Sequence, residues 1–288
     1  MVPVKGNLTL VYQLSGVLAG LLFVASLIGL IFGSSGLYHA YHAAVAGLIG
    51  QDIVTLAAGL PLLLGAMWLT RRGSAGGLLL WAGALFYFAY AYYFFLVGGS
   101  NALFLVYVGI VSTSLYALLA LLFRIDADAL KAEFADRAPV RRTATFFVVT
   151  ASLFMVMWGG LSVASVVAAT TPDPVVHLVV AIDGAVLLPL LVFGGLKLWR
   201  REPWGYVLGG LLLTKATATG LTLAFTSTLA MWWAGSVDPF QVFLAALFAV
   251  MAVVGLALVV PYLRSTTTRL PAAAHEVPTT DANTLVPN

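Results

Sequence analysis

The chain has 288 residues, of which 61% are hydrophobic and only 9% charged, with a formal net charge of +3. Soluble domains carry roughly 25% charged residues, so a water-soluble globule is excluded and the composition is that of a chain dissolved in a bilayer. Cysteine is absent, which removes disulfides, iron–sulfur clusters and thiolate chemistry, and the small positive charge calls for no nucleic acid partner.

In chain order, apolar segments fall at about 8–32, 53–70, 76–97, 102–123, 144–169, 176–199, 205–230 and 240–263. A hydrocarbon core of ~30 Å needs about 20 helical residues, and backbone groups in lipid must be satisfied within the segment. The expected fold is therefore all-α, a polytopic membrane protein with eight transmembrane helices. The first run, from Leu8 to Phe32, exceeds the roughly 7–15 apolar residues of a secretory signal and reads as a retained helix. Residues 1–123 form a first four-helix unit. Residues 124–142 form a charged linker, in which Asp126, Asp128, Lys131, Glu133, Asp136 and Arg137 suit a short solvated helix. Residues 143–264 form a second four-helix unit. Residues 265–288, rich in Thr, Pro, Ala and Asn, read as a disordered cytoplasmic tail.

Basic residues set the orientation. With the N-terminus inside, every Lys and Arg except Lys215 lies on the cytoplasmic side, and the outer loops carry only Asp52, Asp173 and Asp238. Both termini are then cytoplasmic and the expected location is a bacterial plasma membrane. Trp68, Trp199 and Trp204 mark the inner interface, and Tyr38, Tyr41, Trp232 and Trp233 the outer one.

The two halves share a pattern. The second helix carries Asp52, Pro61-Leu62-Leu63 and Arg71-Arg72, with Gly76 opening the third. The sixth carries Asp183, Pro189-Leu190-Leu191 and Arg200-Arg201, with Gly205 opening the seventh. Four helices per half would place both halves in the same orientation, a 4+4 parallel internal repeat about an axis along the membrane normal. Each proline is expected to free a backbone carbonyl and kink its helix.

Lys215 is the most informative residue. It lies ten residues beyond Gly205, roughly 15 Å deep at ~1.5 Å per residue, near the bilayer midplane. A cation there costs about 2.5–3.5 kcal/mol on insertion scales and needs a partner. Asp183 is the expected partner, in a buried ion pair that either fixes packing or forms a substrate, proton or ion site. Thr219, Thr222 and Thr226 continue one helix face above the amine. Asp52 opens the second helix and reads first as a cap on its free amides, with a role matching Asp183 as the alternative. Tyr87 and Tyr90, with Ser112, Ser114 and Tyr116, are candidates to line a polar cavity. His39 and His42, three residues apart, and His177 on the same side are weak metal candidates; interfacial histidine is the stronger reading, and no metal or cofactor is expected. Gly16/Gly20 and Gly205/Gly209 have spacings that permit close helix contact or a homo-oligomer.

The stretches Gly50 to Leu56, Asn101 to Tyr107 and Trp199 to Tyr206 resemble uncharacterised bacterial multi-pass integral membrane proteins, a group without an assigned activity. The resemblance covers most of residues 8–263 and implies a fold, not a mechanism. With no P-loop, GxSxG, HExxH or CxxC motif, the leading expectation is binding or transport of a small solute or ion between the helix repeats, with lipid as the surrounding partner. A membrane-embedded enzyme acting on a lipid or quinone, and a structural accessory subunit, are the alternatives.

Overall fold

A computed structural model describes residues 2–39, 45–134, 138–171 and 174–266. Tyr41, His42, Asp136, Arg137, Asp173 and the tail beyond Thr266 lie outside the described residues. The structure is all-helical, with eight helices long and apolar enough to cross a membrane. These are α1 (Thr9–Leu37), α2 (Val45–Arg71), α3 (Ala75–Val97), α4 (Phe104–Leu122), α6 (Val140–Val167), α7 (Val176–Trp199), α8 (Pro203–Ala234) and α9 (Pro239–Arg264). The short α5 (Ala127–Ala132) lies between α4 and α6. The protein is a multi-pass membrane protein.

Local sequence explains the boundaries. Ser74 caps α3 by accepting from the Gly77 amide at 3.0 Å, and Asp238 caps α9 by accepting from the Phe240 amide at 3.2 Å. Pro203 and Pro239 each occupy a first helical turn, where a missing N–H costs nothing. Inside α2 and α7 the prolines act differently. Pro61 follows a π-helical segment, Thr55–Gly59, and Pro189 follows another, Asp183–Leu187. Each proline removes one ladder hydrogen bond, and a widened turn before it accommodates the ring without breaking the helix. Thr55 and Asp183 thus occupy corresponding places, each opening the widened turn.

Two central helices organise the bundle. α8 is the most buried span. It packs on α2, α3, α7 and α9, and on the short α5. It crosses α3 where Gly83 meets Thr214 and Gly210 meets Leu79. α3 packs closely on α2 and α4, and α1 closes the group by packing on α4 and by side-chain hydrogen bonds between α3 and its own Ser15 and Ser26. Around α8 the equivalent closure is missing: α6 packs well on α7, but α6 and α9 touch at few points.

Three sequence expectations change. The linker helix is not simply solvated, because Leu130 is fully buried against the bundle and Phe134 packs on Tyr206 and Tyr262. The amino-terminal segment also runs beside it, with Lys5 donating its amide to Arg124 and pairing with Asp126 at 3.8 Å. Gly205 and Gly209 meet the Leu198 backbone and the Tyr262 ring, as a close contact requires, whereas Gly16 and Gly20 face open space and so make no close helix contact among the described residues, which leaves self-association as their remaining reading. Of the expected belt residues, Trp68, Trp199, Trp204, Trp232 and Trp233 are exposed, whereas Tyr38 is fully buried. Gly36, with φ 135°, turns the chain so that the Tyr38 ring folds back into the bundle.

Candidate functional site

A cavity of about 570 Å³ lies between α2, α3, α6, α7, α8 and α9. It follows α8 from Leu212 to Ala230, a length of roughly 27 Å at ~1.5 Å per residue. Its walls are mainly aromatic and aliphatic, and its polar groups are Gln51, Tyr87 and Tyr90, Thr150, Trp158, Asp183, Gln241, and Lys215, Thr219, Thr222, Thr226 and Ser227 of α8.

Asp183 is 3% exposed and sits where the widened turn of α7 begins. Both its oxygens are engaged by neutral donors. The Tyr90 hydroxyl donates to Oδ1 at 2.7 Å, and the Trp158 indole N–H donates to Oδ2 at 3.0 Å. Three helices, α3, α6 and α7, are thereby tied at one point. Hydrogen bonds to a carboxylate are among the stronger ones inside a protein.

Lys215 is 2% exposed and does not make the direct ion pair expected with Asp183. The Tyr90 ring stands between them: the ammonium lies 3.5 Å from its centroid while the same residue's hydroxyl holds the carboxyl. Tyr90 thus offers its π face to the cation and its proton to the anion. Lys215 Nζ has no hydrogen-bond acceptor among the described residues. One turn above, the Thr219 hydroxyl is also buried and has no partner there.

Thr222, a further turn along, is satisfied. It shares a hydrogen bond with the Tyr87 hydroxyl at 2.8 Å and donates to the Ala218 carbonyl at 2.9 Å. Tyr87 accepts in turn from Gln51 Nε2 at 3.0 Å, which also reaches Thr55 at 3.2 Å. Tyr92 approaches Thr55 at 3.5 Å and Ser26 at 3.0 Å. A buried polar chain therefore runs from the cavity into the first half.

Asp52 belongs to that first half and does not line the cavity. It is not a helix cap: α2 starts at Val45, seven residues earlier. Asp52 is 1% exposed and accepts from the Tyr38 hydroxyl at 2.6 Å. The apolar run alone placed the helix start too late, because Gln51 and Asp52 interrupt it within the helix. By the widened-turn register it is Thr55, not Asp52, that stands where Asp183 stands.

Tyr87 and Tyr90 do line the cavity, but Ser112, Ser114 and Tyr116 do not. Ser114 spends its hydroxyl on the Ile110 carbonyl at 2.7 Å, and Tyr116 faces outward. His39 and His177 are exposed, His42 lies outside the described residues, and no group of three metal-ligating side chains occurs among the described residues. Sequence reasoning missed Trp158. Its signal was position: it sits mid-helix, whereas the other tryptophans of the interfaces sit near helix ends.

No family model matches this chain, and neither a curated protein nor a solved structure matches it. Fold and site together define a class, a multi-pass helical membrane protein enclosing a cavity with unspent hydrogen-bond donors.

Proposed function

We propose that this protein binds, and by alternating exposure moves, a small solute through the cavity at Lys215. One observation carries the reading: the Lys215 ammonium is buried, faces the cavity and has no acceptor among the described residues. A cation placed in a membrane interior at a cost of several kcal/mol is a functional group by default. Here it is not consumed by an ion pair, so a bound solute supplies what the protein withholds. Asp183, held by Tyr90 and Trp158, sets the electrostatic balance beside it.

The site lies between two four-helix units that we read as a parallel repeat. The matching widened turns before Pro61 and Pro189 support that reading, as does the shared sequence pattern around them. The distribution of Lys and Arg supports cytoplasmic termini in a bacterial plasma membrane. The looser packing of α6 against α9 than of α1 against α4 supports one half as the moving part.

A thermal-unfolding screen of purified protein against ions, metabolites and lipids tests the function, run in parallel on Asp183→Asn. A solute at one hundred times its Kd stabilises the folded state by about 2.7 kcal/mol. The expected result is a ligand whose shift is lost in Asp183→Asn. A shift of equal size in both proteins, or none across the panel, overturns the assignment.

A further inference from the structure

We infer that the occupant of this cavity is a neutral amphiphile, a long apolar body bearing a carbonyl-type acceptor head that takes hydrogen bonds from Lys215 and Thr219. The inference rests on the cavity being a binding site and adds the chemistry of what binds.

The head is an acceptor because the site has donors to spare. Lys215 Nζ carries three N–H groups with no acceptor among the described residues, and the Thr219 hydroxyl one turn away has no partner among them. The cavity carboxylate among the described residues, Asp183, already receives a donor on each oxygen. Lys215 and Thr219, at i and i+4, lie on one face of α8, and both line the cavity. A carbonyl oxygen, with two lone pairs, fits them both.

The head is neutral because the site is already balanced. Asp183 and Lys215 together carry no net charge, whether both are ionised or neither is. An anionic head would leave an uncompensated charge in a poorly hydrated pocket, which is strongly unfavourable. A polar neutral head meets the donors without that penalty.

The body is apolar and elongated because the space is. At about 570 Å³ the cavity falls within the usual ~300–1,000 Å³ of small-molecule sites, yet it extends along α8 from Leu212 to Ala230. Phe94, Phe154, Leu187, Leu244, Phe248 and Met251 line it, and such walls offer a hydrocarbon tail contacts and offer a hydrophilic metabolite none. The entrance is consistent: α6 and α9 meet mainly through the stacked rings of Phe154 and Phe248, with centroids 5.8 Å apart. Exposed residues of these two helices, Val156 and Val250 among them, are apolar, the surface expected of a seam bordered by hydrocarbon, through which a lipid-dissolved molecule would reach the cavity without crossing water.

The test uses the full-length protein in detergent micelles. A benzoquinone carrying a ten-carbon chain is titrated and read by quenching of tryptophan fluorescence; decanoate and decanol are measured by competition. Lys215→Met and Thr219→Val are the variants, each first shown to unfold at the wild-type temperature without ligand. The expected result is saturable quinone binding, at least about tenfold tighter than decanoate, weakened about tenfold by either substitution, the loss of one net hydrogen bond. Decanoate binding as tightly as the quinone, and lost in Lys215→Met, overturns the neutral head and leaves a solute site standing. Quinone binding indifferent to both variants reduces the site to a greasy slot and overturns the inference. No saturable binding of any probe overturns it as well, while the broad unfolding screen judges solute binding separately.

Discussion

Replacing Gly83 by alanine tests whether the close crossing of α3 and α8 positions the site. A Cβ at Gly83 would sit 2.7 Å from Thr214 Cγ2 and 2.8 Å from the Leu211 carbonyl oxygen. Carbon–carbon contacts are most favourable at about 3.5–4.0 Å, so the helices must separate by roughly 1 Å at this point. A rotamer change of Thr214 relieves the first contact but not the second, which is backbone. Overpacking of this kind costs about 1–3 kcal/mol, set against a gain of about 0.5–1 kcal/mol for replacing a mid-helix glycine. Gly16→Ala is the control, because nothing lies within 4 Å of a Cβ there. Reversible unfolding in mixed micelles, followed by tryptophan fluorescence, should show Gly83→Ala destabilised relative to Gly16→Ala by about 1–3 kcal/mol, the overpacking alone, because the gain from replacing a mid-helix glycine is common to both variants. Gly83→Ala unfolding with the same free energy as Gly16→Ala would refute the close crossing and with it the register that brings Tyr90 to Lys215.

Two further outcomes follow from the geometry. Trp158→Phe keeps the ring but leaves Asp183 Oδ2 without its donor, so it should lower stability by about 1–3 kcal/mol; an unfolding free energy within about 0.5 kcal/mol of wild type, the range of an ordinary neutral substitution, contradicts the bond. In the turn between α7 and α8, the hydrogen bond from Lys197 holds the Glu202 carboxyl below its ordinary range. A depressed folded value stabilises above the unfolded carboxyl range near ~4.3 and is lost as pH falls through the folded value. The melting temperature of wild type should therefore exceed that of Glu202→Gln at pH 7, and the difference should shrink towards zero in acid; a difference unchanged at pH 3 contradicts the pairing.

The eight helices were legible because lipid enforces one reading of a long apolar run, and the lone lysine within a span announced itself against basic residues otherwise confined to helix ends and loops. What could not be read were the angular relations. The spacing of Asp183 and Lys215 suggested an ion pair, but the direction in which Tyr90 points from α3 decides that the ring comes between them. Asp52 was misplaced at a helix start because the polar pair Gln51-Asp52 interrupts the apolar run, although Val45 to Gly50 before it already winds as helix. The widened turns at Thr55 and Asp183 shift register by part of a turn, which no count from a regular 3.6-residue period recovers. Trp158 was passed over because a single tryptophan inside an apolar run carries no periodic signal.

The most direct test of the cavity is the reactivity of a single introduced thiol, which the absence of native cysteine makes unambiguous. Thr219 lines the cavity, whereas Thr214 is packed against Gly83. In folded protein, Thr219→Cys should react with N-ethylmaleimide at a rate that falls when the cavity is filled, while Thr214→Cys should stay inert. Equal inertness of both thiols would contradict an accessible site at Lys215.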